Sequence, residues 1–147
     1  MNLTLLQVEK AKIVGVWIDA REAMIIDFSD PNDEIKTIRS EVEPNHRSTG
    51  GLHMSGGNIH SQHGQDYDRR LEHRREHEFN RFFDEVADQL KDTVRLRVYG
   101  PGIVKTHFVD RLKKNSSLSS VVEAVETAHR VSETELTQMV KEGMFGK

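Results

Sequence analysis

The sequence contains no cysteine, which excludes disulfides, thiolate zinc sites and a cysteine nucleophile and leaves an intracellular home open. It also lacks a long apolar run. The longest, around Ile13 to Ile18, falls far short of the roughly 20 residues that span a bilayer, so no membrane partner is expected. The opening MNLTLLQVEKAK holds a short apolar patch with an acid before any small-residue cleavage pattern, and does not read as a signal peptide. The expected location is the cytoplasm. Large net charge is missing too: a formal charge of -3 creates no global field of the kind that marks a nucleic-acid binder, so any basic patch must be local. At 147 residues the chain fits one domain, and neither an internal repeat nor an inter-domain linker divides it.

What is present reads as an α/β domain. Residues 1–12 are a lead-in with no assigned chemistry, and residues 13–147 form the domain. IVGVWID and AMIIDF, separated by Ala20-Arg21-Glu22, have the β-branched composition and length of two strands in a hairpin. SDPNDE has turn composition, and EIKTIRSEV alternates loosely enough for a third, more exposed strand. Further on, Phe79, Phe82, Phe83, Val86 and Leu90 recur at spacings of three and four, the stripe of a core-facing helix with Asp68 as its cap and Asp92 at its close. VRLRVYGPG is a strand entering a Gly-Pro-Gly turn, followed by a helix with Ile103, His107 or Phe108, and Leu112 facing inward. SSVVEAVET gives a fifth strand. SETELTQMVKEGMFG opens with the capping-box pair Ser132 and Glu135 and turns Leu136, Met139 and Val140 inward. The order β-β-β-α-β-α-β-α predicts a mixed sheet of about five strands covered by helices.

Between the third strand and the first helix lies a stretch, residues 41–68, expected to be a long flexible loop. It carries five of the ten glycines and four of the eight histidines, and loops of that length within a domain tend to be functional or disordered. The helix behind it places Arg70, Arg74, His77 and Arg81 at intervals of four, three and four, hence on one face. From Arg69 to Arg81 five arginines stand against three glutamates, a net of +2. A line of guanidinium groups beside a mobile loop can hold RNA phosphates bidentately; the competing reading is a solvated helix in which Glu72, Glu76 and Glu78 neutralise the arginines.

Three local sequences and the order of elements resemble a known family. VWIDAREAMIIDF, the Gly/His loop ending in His63-Gly64-Gln65 before the arginine-rich helix, and VYGPGIVKTHFVDRL are similar to the middle domain of the archaeal and eukaryotic class I peptide release factor and of its relative Pelota. They resemble still more its small stand-alone bacterial relatives, as does AVETAH. The resemblance implies a three-layer ribonuclease-H-like fold of the translational machinery and a ribosomal or structured-RNA partner, rRNA or tRNA. It implies RNA contacts at Arg69, Arg70, Arg74, His77, Arg81 and Lys105, and a role in termination, rescue or ribosome silencing. In release factors the corresponding loop carries Gly-Gly-Gln and assists water attack on the peptidyl-tRNA ester; here Gly64 and Gln65 are retained and His63 replaces the first glycine. Peptidyl-tRNA hydrolysis by His63, Gly64 and Gln65 and binding without catalysis both stay open, with the second favoured. Nothing in the chain is long enough to read codons, so decoding would require a partner protein with further domains.

Other chemistries are weaker. Gln65 can orient a water, and an adjacent glycine lets N–H groups approach an oxyanion. His73 and His77 lie one helical turn apart with His60 and His63 as further nitrogens, but flanking arginines repel a cation, so no metal and no cofactor is expected. Gly100-Pro101-Gly102 lacks the spacing of a nucleotide-binding loop. Asp19, Asp27 and Glu126 near strand ends give the alternative of a metal-dependent ribonuclease-H-like nuclease; a non-catalytic interaction module is the third reading.

Overall fold

The computed structural model describes residues 11–30, 34–42, 61–115 and 117–146, without the side chains of residues 61–68 and 115. Strand β1 (Lys12–Ile18) and strand β2 (Glu22–Asp27) form the expected hairpin, in register from Val14 opposite Asp27 to Ile18 opposite Ala23. The Asp19 carboxylate closes the turn by accepting from the N–H groups of Arg21 at 2.8 Å and Glu22 at 2.9 Å. Strand β3 (Ile35–Arg39) adds antiparallel to β2, and helix α1 (Ser61–Asp88) leads to strand β4 (Thr93–Gly100), which lies parallel to β1. Helix α2 (Val104–Asn115), a 3-10 turn (Ser117–Val121), strand β5 (Val122–Thr127), parallel to β4, and helix α3 (Glu133–Phe145) complete the chain. The sheet order is β3-β2-β1-β4-β5. The mixed five-stranded α/β architecture read from the sequence is the one observed, and the ribonuclease-H-like description fits it.

Because strand side chains alternate between faces, the sheet builds two cores. On one face Val14, Val16, Ile18, Leu96 and Val98 meet Phe82, Phe83 and Val86 of α1, Leu90 of the turn after it, and Phe108 and Leu112 of α2. On the other, Trp17, Met24, Ile26 and Tyr99 meet Leu136, Val140 and Met144 of α3. The expected capping box is present: Ser132 accepts from the Glu135 N–H at 3.1 Å, and the Glu135 carboxylate accepts from the Ser132 N–H at 2.8 Å.

Three expectations are corrected. Helix α1 begins at Ser61 rather than after Asp68, so the loop expected over 41–68 ends earlier; residues 43–60 lie outside the described ones. Ile103 is 61% exposed. It precedes the first turn of α2, where its carbonyl accepts from Thr106 and His107, and the inward positions go to Phe108, Val109 and Leu112. Third, Lys105 is buried, and its ammonium donates to the Gly102 carbonyl.

Two glycines fix how closely the layers approach. A Cβ at Gly100 would sit 2.1 Å from the backbone oxygen of Ile18, and one at Gly15 would sit 2.4 Å from Cγ2 of Val140. The first clash is with backbone of the adjacent strand and has no side chain to yield. Gly100→Ala is therefore expected to lose the cooperative thermal transition seen by circular dichroism. Gly15→Ala is expected to cost about 1–3 kcal/mol as an overpacked core does, and adding Val140→Ala should return part of that loss.

Candidate nucleic-acid interface

Helix α1 has two unlike halves. From Phe79 onward it carries the core stripe, while residues 69–74, 76 and 77 are exposed on every side. A helix polar all round gains nothing from burial, so this half stands because the anchored half continues it. At about 100° per residue, Arg70, Arg74, His77 and Arg81 share an arc of roughly 60°, opposite the arc of Phe79, Phe82, Phe83, Val86 and Leu90 that meets the core. All four are exposed. The guanidiniums thus point directly away from the domain, over about 16 Å of helix at 1.5 Å per residue.

Among the described residues no ion pair joins Arg69, Arg70, Arg74 or Arg81 to Glu72, Glu76 or Glu78. Arg75 lies over the Phe79 ring, 5.8 Å from its centroid. Arg69 is exposed but lies on the flank, about 100° from the strip. Lys105 lies on α2 rather than on this helix, buried, with its ammonium donating to the Gly102 carbonyl. Gly102, at φ 63, shapes that turn.

His63, Gly64 and Gln65 fall in the opening turns of α1 instead of a loop. Residues 63–65 thus have helical backbone rather than that of an open glycine loop. The basic strip follows them on the same helix. His46, His53 and His60 lie outside the described residues, and no cluster of three or more His, Asp or Glu with metal-binding geometry occurs among the described ones. No helix among the described residues is long and apolar enough to cross a membrane.

The nuclease carboxylates are not gathered. Asp19 follows the end of β1, whereas Asp27 lies opposite Val14 near the other end of that strand. Asp19 serves the hairpin turn, the Asp27 carboxylate accepts from the Ser29 N–H at 2.8 Å, and Glu126 pairs with Arg97 at 2.8 Å.

Sequence reasoning missed a charged network on the α3 side of the sheet. Arg95 donates to Glu123 at 2.7 Å, and Arg97 bridges Glu123 at 3.0 Å, Glu126 and the Tyr99 hydroxyl at 2.9 Å. Gly143 lets Arg97 lie under α3, since a Cβ there would come within 2.4 Å of its Nε. The signal was available: Arg95 and Arg97 alternate with Leu96 and Val98 on a strand flanked by β1 and β5, so one face had to supply partners. The hydrogen bond from Arg95, joined by that from Arg97, holds the Glu123 carboxyl below the ordinary carboxylate range against the opposing effect of burial. Nearby, Arg130 pairs with Glu22 and stacks 5.3 Å above Trp17, whose indole N–H donates to the His129 carbonyl at 3.0 Å.

This architecture has counterparts among solved structures. Pelota from Archaeoglobus fulgidus is similar over 98% of this chain, with 19% identity and a TM-score of 0.54. An archaeal translation termination factor is similar over 98% of the chain, with 14% identity and a TM-score of 0.49. The chain spans 36% of that Pelota and 42% of that termination factor. No protein-family model matches the sequence, and no curated protein matches it.

Glu123 supplies a pH test with a defined sign. A carboxyl whose folded pKa is depressed adds stability above its unfolded pKa and loses it as pH falls through the folded value. Glu123→Gln is expected to cost on the order of 1 kcal/mol near neutral pH, as partly exposed pairs do. The gap to the parent should close below about pH 4. Urea melts of both proteins across that range measure it; a gap independent of pH would assign the loss to packing.

Proposed function

We propose that the protein binds RNA phosphates through the outward arginine strip of α1 and acts on the ribosome, in termination, rescue or silencing. The single observation that carries this reading is the strip itself: Arg70, Arg74 and Arg81 are exposed, directed away from the core and unpaired among the described residues. A protein whose charge is -3 gains RNA affinity only by concentrating cations in one place. The ribosomal setting is supported by the release-factor-like sequences around VWIDAREAMIIDF and VYGPGIVKTHFVDRL and by the likeness in fold to Pelota. The chain spans about a third of that protein. Binding without catalysis is the favoured form, since His63 departs from the Gly-Gly-Gln pattern and residues 63–65 have helical backbone.

The test is sedimentation of the purified protein with ribosomes at low salt and after a salt wash. The parent is expected in the ribosomal pellet at low salt and in the supernatant after the wash. Arg70→Glu/Arg74→Glu should remain in the supernatant throughout, with an unchanged thermal melt. Pelleting of the reversed protein equal to the parent would refute the strip as the contact. In a separate assay, peptide release from peptidyl-tRNA is expected to be absent or equal for the parent and Gln65→Ala; loss of release only in Gln65→Ala would make the protein a hydrolase.

A further inference from the structure

We infer that the strip takes only a short stretch of RNA backbone, about three phosphates by one per arginine, and that the acidic continuation of the same helix face sets where the contact ends. This rests on the RNA-binding reading above and adds its extent. Past Arg81 the outward arc continues through Asp84 and Asp88, with Glu85 at its border, by the same rotation of about 100° per residue. All three are exposed. Asp84 is held by Arg111, which donates to its two carboxylate oxygens at 2.9 and 3.0 Å. Glu85 and Asp88 have no ion pair among the described residues and form the acidic end.

The geometry makes the boundary sharp. Arg81 and Glu85 are separated by about 6 Å along the helix, inside the screening length of roughly 8–10 Å at moderate salt. A phosphate chain following the helix axis meets guanidiniums from Arg70 to Arg81 and then like charge. His77 lies within the strip. So few contacts give modest affinity with shallow salt dependence, and the strip orients an RNA that is also held elsewhere. A face basic at one end and acidic at the other also complements a second antiparallel copy of itself. That occupant is disfavoured, because exposed ion pairs contribute little and the strip carries no apolar side chain to bury.

The experiment is fluorescence anisotropy of a labelled single-stranded oligouridylate with the full chain, between about 50 and 200 mM salt. The expected slope of log affinity against log salt has a magnitude of about 2, at roughly 0.7 per phosphate. Glu85→Lys/Asp88→Lys, both at exposed positions near the helix C-terminus, should steepen the slope by about 1 or more and tighten low-salt binding at least about threefold. A parent slope of about 4 or more would overturn the inference, as would a Glu85→Lys/Asp88→Lys protein that is folded, binds like the parent and keeps its slope. Absence of any parent binding at low salt would overturn the RNA reading itself, and a strip-dependent dimer in analytical ultracentrifugation would replace RNA by a second copy.

Discussion

No side chain fits at Gly100, because the carbonyl of Ile18 occupies the place where its Cβ would be. This backbone-to-backbone approach holds the end of β4 against the end of β1, and the remaining architecture depends on it. With β4 seated beside β1, Val14, Val16, Ile18, Leu96 and Val98 form one continuous apolar surface toward α1 and α2, while on the α3 face β4 contributes Tyr99 to the core and Arg95 and Arg97 to the charged network. The Gly100 carbonyl then accepts from Ala128 at 3.0 Å, which starts the chain on its way from β5 to α3. Gly15 plays the matching part on the other axis, letting Val140 of α3 rest on the centre of β1. One strand therefore sets both the width of the sheet and the thickness of the layer above it.

The arginines of this protein divide by environment. Those on β4 lie within a three-layer domain, where an unpaired charge is costly, and Arg95 and Arg97 are accordingly met by Glu123 and Glu126. Arg130 finds Glu22 and the face of Trp17. Arg69, Arg70, Arg74 and Arg81 of α1 are exposed to water, and among the described residues no glutamate of the same helix pairs with them. Identical side chains are thus structural in one place and available to a ligand in the other.

The periodicities carried most of the fold. Val14, Val16 and Ile18 on one face, Phe79 to Leu90 at spacings of three and four, and Ser132 with Glu135 are local patterns whose physical causes act locally, and each corresponds to an observed element. The start of α1 was less legible: Ser61 to Asp68 has a glycine, one histidine and no apolar stripe, and its helical state comes from propagation along a helix anchored elsewhere, which no local pattern records. Lys105 misled for a related reason. A lysine after a glycine turn reads as exposed, and only the folded turn brings the Gly102 carbonyl to its ammonium. The strip at Arg70, Arg74, His77 and Arg81 was legible as a face, yet its orientation opposite the core needed the phenylalanines downstream.

The far end of α1 is fastened more firmly than its apolar stripe alone would manage. Lys12, the first residue of β1, donates from its ammonium to the carbonyls of Gln89 at 2.9 Å and Lys91 at 3.0 Å, and Asp92 at φ 67 turns the chain into β4. The helix is thereby a cantilever clamped into the two central strands at one end. A load placed on its arginines acts with a lever arm of several turns, and the sheet, rather than the helix, must resist the torque.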